Sequence, residues 1–387
     1  MTHTRSGRQD VFGGNDSRLA ALGVLGQSVW LDSISREMLR SGELERYVEA
    51  GISGVTSNPT IFAKAILSGD SYDAQIDELV AHDADVDEIY TAVVTRDIRR
   101  ACDVMAPTHR RSGGLDGFVS VEVSPELAHE AEATVAEARD WVKRVDRPNL
   151  LIKIPATRAG LSAIEAAIAE GISVNVTLIF SLERYLAVID AYMSGLERFR
   201  EAGGNPAAVN SVASFFVSRF DTEVDKRLGV IGTSQAGALA GRSAVANARV
   251  AYLEFLRAFS SDRWFRLRRK GANVQKPLWA STSTKNPAYS DTLYIDTLVA
   301  PETVNTLPES AIAAYQDHGP DTPEVLGINQ MADGVMVLED LEAVGVDYDD
   351  VAAKLERDGV SSFSASFREM VDDIERKRAM TLTGASG

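Results

Sequence analysis

The chain has 387 residues, 45% of them hydrophobic and 25% charged, a balance that belongs to a globular protein with a large core and excludes a wholly disordered or fibrous chain. Its 40 basic and 56 acidic residues leave a net charge of −16, which argues against nucleic acid as a partner. The same field repels small phosphorylated molecules, so a phosphate site needs arginine or lysine of its own close by.

Cys102 stands alone, so no disulfide forms within the chain, and a reducing cytoplasm is the expected location. His3, His82, His109, His129 and His318 show no metal-ligand spacing, and no metal is expected. No run of about 18 apolar residues occurs, so no membrane partner is expected either.

In chain order, short apolar runs flanked by turn residues alternate with longer amphipathic stretches, the pattern of repeated βα units. Strands are expected over residues 28–33, 54–58, 117–123, 149–155, 172–178, 210–217, 277–283 and 292–299. Between them, residues 36–50, 126–145, 161–170, 182–199 and 238–259 carry apolar residues at helical spacing. Eight parallel strands are what a closed barrel needs, so the expected fold is α/β, a single (β/α)8 TIM barrel. Residues 61–105 exceed one crossover helix and read as a helical insertion after the second strand. Helical stretches also follow the last strand. One domain is expected over residues 26–380, with a mobile arm at 1–25 and a tail at 381–387.

A parallel barrel strand is covered on both faces, so polar residues within it need a reason. Of the nine lysines, only Lys153 sits well inside such a run, Leu150-Leu151-Ile152-Lys153-Ile154-Pro155. Burial lowers the pKa of an amine, and a neutral amine is the nucleophile that forms a Schiff base with a carbonyl substrate. On this strand alone, a lysine paired structurally with a buried carboxylate is an equal reading. Asp32 and Glu122 then supply isolated carboxylates at two further strand ends, as proton transfer around an imine requires. Residues two apart share a face of a strand. Ser120 goes with Glu122, Thr56 with Asn58, Asn175 with Thr177, Ser214 with Phe216 and Ser281 with Ser283, all at or near the ends where barrels carry their chemistry. Arg219, just past the sixth strand, and Lys285, past the seventh, are the local cations that a phosphate site would use.

These residues resemble the transaldolases, in the longer bacterial type of the pentose phosphate pathway. The resemblance rests on Gly54-Val55-Thr56-Ser57-Asn58-Pro59-Thr60-Ile61-Phe62 and Asn149-Leu150-Leu151-Ile152-Lys153-Ile154-Pro155-Ala156-Thr157 and runs from about Trp30 to Asn305. It implies a class I aldolase barrel without a cofactor, acting on phosphorylated sugars as a monomer or homodimer. By the same resemblance Lys153 forms the imine, Asp32 handles the substrate hydroxyl, and Glu122 moves protons through a water shared with Thr177. Thr56, Asn58, Asn175 and Ser214 match positions that hold sugar hydroxyls or water, and Arg219 matches a phosphate-binding arginine. Phe216 and Glu122 favour transaldolase over fructose-6-phosphate aldolase. In Ala280-Ser281-Thr282-Ser283, Ser283 stands where shorter relatives carry arginine, and Lys285 is the expected substitute. The implied reaction passes a dihydroxyacetone unit from sedoheptulose 7-phosphate to glyceraldehyde 3-phosphate. The rivals are an aldolase releasing free dihydroxyacetone, a non-catalytic sugar-phosphate-binding barrel and an isomerase working only through Glu122 and Asp32.

Overall fold

Parallel strands joined by right-handed crossovers turn back on themselves when each run is short and bounded by turn residues. In this chain, a computed structural model that describes residues 17–67 and 69–384, they close completely. The strands are β1 (Gln27–Leu31), β2 (Gly54–Val55), β3 (Val119–Glu122), β4 (Leu150–Pro155), β5 (Val174–Ile179), β6 (Ser211–Phe216), β7 (Gln275–Ala280) and β8 (Thr303–Leu307). They pair in sequence order, and β1 pairs β8 to complete a barrel. Every residue of β3, β4, β5 and β6 is buried, because one face fills the barrel and the other meets the helices.

The eighth strand is not where the sequence pattern put it. Residues 292–299 instead hold a one-turn helix, Leu293–Asp296, and β8 follows at Thr303–Leu307. The apolar run 292–299 packs on the outside of the barrel. There the Leu298 carbonyl accepts from Trp279 Nε1 at 3.0 Å and from Gln27 Nε2 at 2.7 Å. The true strand is rich in Thr and Asn and looks exposed in sequence, yet its threonine hydroxyls are satisfied internally, while Asn305 Oδ1 is buried without a hydrogen-bond partner among the described residues. Thr303 Oγ1 accepts from Gln27, and Thr306 Oγ1 meets Thr56 Oγ1 at 2.7 Å.

The expected helices also differ in their bounds, three of them most. The stretch 36–50 is two helices, Arg36–Arg40 and Glu43–Glu49, broken at Gly42, whose φ of 72° is left-handed. The next begins at Ala131, after a 3₁₀ turn at Pro125–Leu127, and another begins at Ser243. The insertion after β2 comprises helices Pro59–Leu67, Asp73–Ala81 and Val86–Arg111. Of the expected N-terminal arm, residues 1–16 lie outside the described residues, while Arg18–Val24 is a helix, capped by Ser17, with Leu19 and Leu22 buried. Residues 385–387 of the expected tail lie outside them too. No helix among the described residues is long and apolar enough to cross a membrane.

The final helix, Tyr348–Leu382, runs to 35 residues and bears on the end of the barrel where the strands finish. It is tied to that rim by side chains. Asp350 pairs with Arg227 at 2.7 Å, Glu356 with Arg184 at 3.3 Å and Arg368 with Glu126 at 3.0 Å, and Thr60 Oγ1 donates to Ser366 Oγ at 2.8 Å.

One close approach fixes β4 against its crossover helix, Arg158–Ala169. A Cβ on Gly160 would stand 1.9 Å from the Pro155 carbonyl oxygen, a backbone atom that cannot step aside without moving the strand end. Gly160→Ala is therefore expected to destabilise the protein by about 1–3 kcal/mol despite the better helix propensity of alanine. A urea midpoint equal to or above the parent's would contradict this.

Candidate active site

Register builds the floor of the site. Glu122 of β3 pairs with Lys153 of β4, and Lys153 with Asn175 of β5. Partners in a parallel ladder share a face, so three polar side chains converge at one level of the barrel. Lys153 is only 5% exposed; its Nζ lies 3.2 Å from Glu122 Oε2 and donates to the Ser57 carbonyl at 3.1 Å. Burial pushes the Glu122 carboxyl above its ordinary pKa, with the Lys153 ammonium pulling the other way. Lys153 Nζ is the ion-pair partner of Glu122 Oε2, while Thr177 Oγ1 is buried without a hydrogen-bond partner among the described residues.

Asp32 follows β1 directly. Thr56 Oγ1, from the end of β2, donates to its Oδ1 at 2.8 Å. Burial raises the Asp32 carboxyl as well, opposed first by Lys153, then by the Thr56 hydrogen bond, then by Arg219 and Lys285. Two carboxyl groups whose pKa values are raised by burial thus flank one amine, which equips the site to give and take protons.

The strand ends open into a cavity of about 190 Å³. Among the residues expected at a site, Lys153, Asp32, Thr177, Thr56, Asn58, Ser214, Phe216, Arg219, Ser281 and Lys285 line it. Glu122 and Asn175 do not, although they stand at the register level of Lys153, whose longer side chain reaches the cavity. Asn175 Nδ2 donates to Ser120 Oγ at 3.0 Å and its Oδ1 accepts from Ser214 Oγ at 2.7 Å, a buried link from β3 to β6. Asn58 has a structural task too, accepting from Ile61 N at 3.0 Å at the start of helix Pro59–Leu67.

Arg219 lies in the first turn of helix Ser218–Ile231, with Phe216 5.2 Å and Phe363 5.7 Å from its guanidinium carbon. Aromatic faces fix the orientation of such a group while leaving its donors free for an anion. Beside it, Ser281 has a φ of 57°, and its carbonyl accepts from Ser218 N at 3.0 Å. Lys285 Nζ donates to Ser283 Oγ at 2.7 Å on the same side of the cavity. The helix N-terminus, Arg219 and Lys285 together form a cationic corner in an otherwise acidic protein.

Residues 29–374 match the family model described as Transaldolase/Fructose-6-phosphate aldolase. The chain is 54% identical over 357 residues to a transaldolase of Mycobacterium tuberculosis strain H37Rv, covering 92% of this chain and 95% of the relative. It is 52% identical over 355 residues to a transaldolase of Mycolicibacterium smegmatis, with the same coverage of each. The chain belongs to the transaldolase/fructose-6-phosphate aldolase family.

The transaldolase-family cavity includes residues that strand patterning did not pick out: Thr306, Pro308, Thr282 and Phe363. Thr306 was hidden by the misplaced eighth strand. Phe363 is 210 positions beyond Lys153, on a helix whose only sequence signal is its own amphipathic spacing. Among the described residues, no group of three or more His, Cys, Asp or Glu could hold a metal ion.

Proposed function

We propose that the chain is a transaldolase that moves a dihydroxyacetone unit between phosphorylated sugars through a Schiff base on Lys153. The observation that carries this reading is a nearly dry lysine nitrogen 3.2 Å from a carboxyl group raised by burial, at the floor of a cavity that Asp32 also lines. Glu122 takes the ammonium proton, and the free amine attacks the ketone carbon of the donor. A water between Glu122 and Thr177 would satisfy the unpartnered Thr177 hydroxyl and pass the protons that turn carbinolamine into iminium. Asp32, steadied by Thr56, then takes the proton of the C4 hydroxyl as the C3–C4 bond breaks into the iminium. The aldose phosphate leaves, an acceptor aldehyde takes its place, and the steps run in reverse. Ser214 and Asn58 are suited to the remaining hydroxyls, and Arg219, Ser281 and Lys285 to the phosphate, with Asn175 bracing Ser214. Phosphorylated sugars, a cytoplasmic setting and a monomer or homodimer complete the reading.

The test is reductive trapping. Incubation with fructose 6-phosphate and borohydride is expected to add the mass of a reduced dihydroxyacetone or hexose phosphate unit at Lys153. No adduct at that residue would overturn the mechanism.

The cationic corner gives a second test. A charge-assisted hydrogen bond contributes about 1.5–3 kcal/mol, so Lys285→Ala is expected to raise KM for sugar phosphates about tenfold or more while leaving kcat within a few-fold. The increase should shrink at high salt, as expected of an exposed cation. An unchanged KM would remove Lys285 from phosphate binding.

A further inference from the structure

Phe363 belongs to no strand and no recognisable motif, yet it is only 4% exposed, and its ring lies 5.6 Å from Lys153 Nζ and 5.7 Å from the Arg219 guanidinium carbon. It is carried there by the final helix, which Asp350, Glu356 and Arg368 clamp to the helix Ser218–Ile231, the helix Leu182–Glu201 and the 3₁₀ turn Pro125–Leu127. This is an apolar ring held over the one nitrogen on which the intermediate forms. Its place raises a chemical question that the strand-end residues leave open: why the three-carbon unit waits for an acceptor.

Two routes leave that intermediate. After the C3–C4 bond breaks, the electron pair remains at C3 as an enamine on the Lys153 nitrogen. In transfer, C3 bonds to the carbonyl carbon of the acceptor aldehyde, and the carbonyl oxygen takes the proton held by Asp32. In the competing route, C3 takes a proton instead and the iminium reforms. Water then adds to the iminium carbon, the carbinolamine proton moves to nitrogen, the C–N bond breaks with its electron pair returning to the amine, and free dihydroxyacetone departs. The second route begins with protonation of C3, so it is favoured where bulk water reaches the enamine.

We propose that Phe363 determines which route is taken, acting as a specificity residue that shields the enamine from bulk water, and so from protonation at C3, and holds the cationic nitrogen of the iminium against its ring face. A cation within about 6 Å of an aromatic face is stabilised, more so when desolvated, and an apolar ring offers water no partner. The water that serves imine formation is held by Glu122 and Thr177, so product release from the completed ketose does not depend on the mouth being wet. This inference rests on the transaldolase reading and adds to it the reason for transfer over release.

A graded series, Phe363→Leu, Phe363→Val and Phe363→Ala, tests it. Each variant is given fructose 6-phosphate with and without erythrose 4-phosphate, free dihydroxyacetone is measured against transfer, and the Lys153 adduct is trapped with borohydride. The ratio of release to transfer is expected to rise as the side chain shrinks, at least tenfold for Ala, with Leu within about threefold of the parent and the adduct present throughout. If Ala does not fold, the Leu-to-Val step must still show the rise. Adducts throughout with an unchanged ratio would overturn the role of Phe363 alone. No adduct in the parent itself would overturn the transaldolase reading, and this inference with it.

Discussion

Replacing Lys153 by Met is expected to abolish transfer, with a fall of at least about 10⁴-fold, since covalent capture and the associated loss of entropy disappear together. Lys153→Arg should fare no better, because a guanidinium stays protonated and cannot add to a ketone. Borohydride should leave no adduct in either variant. The Met variant also reports on the pair in the folded protein. Glu122, already raised by burial, loses the cation that pulled its pKa down, and so rises further. A carboxyl whose folded pKa lies above its unfolded one contributes stability below the unfolded value and loses it as pH rises through the folded value. The melting temperature of Lys153→Met, measured from pH 5 to 8, is therefore expected to fall with rising pH more steeply than the parent's. Residual transfer within 100-fold of the parent would sink the Schiff-base assignment. A flat difference in melting temperature would show that the pair is not coupled as its 3.2 Å separation implies.

Asp32→Asn separates carbon–carbon cleavage from imine formation. The amide keeps the shape and can still meet Thr56, but it cannot accept the hydroxyl proton. Loss of a general base costs about 10²- to 10⁴-fold, so transfer should fall by that amount while fructose 6-phosphate is still trapped on Lys153. In the parent, Asp32 must be ionised to act, and burial holds its pKa above the ordinary 3.8. Activity is thus expected to be lost as pH falls through a midpoint above the usual carboxylate range, and recovered as pH rises. Removing Lys285, one of the charges that draws the Asp32 pKa down, should move that midpoint to higher pH. An Asn variant that transfers normally would give the base to another group.

Much of the site was readable because a barrel strand imposes a strong prior. Where both faces should be apolar, Lys153 and Glu122 are conspicuous, and the period of two then assigns them to the inside together with Asn175 and Thr177. The same rule misled at the eighth strand. Thr303-Val304-Asn305-Thr306-Leu307 hides its threonine hydroxyls in hydrogen bonds to Gln27 and Thr56 that no local pattern reveals. Residues 292–299 meanwhile owe their apolar character to packing on the barrel wall, with Tyr294 OH donating to Asp221 Oδ2 at 2.7 Å. Phe363 was out of reach for a different reason. A long amphipathic helix shows which side is apolar but not what it will cover.

The order of residues alone fixed the alternation of strand and helix, the inward period of the first seven strands and the types of chemical group at their ends, since those depend on neighbours within a few positions. Closure of the barrel decided the rest. It set Glu122 against Lys153, kept Asn175 off the cavity wall, and gave Thr306 to Thr56, because parallel register joins segments many residues apart. It also let the last helix bring an aromatic ring to within 5.6 Å of Lys153 Nζ, through ion pairs to crossover helices with no sequence relation to it.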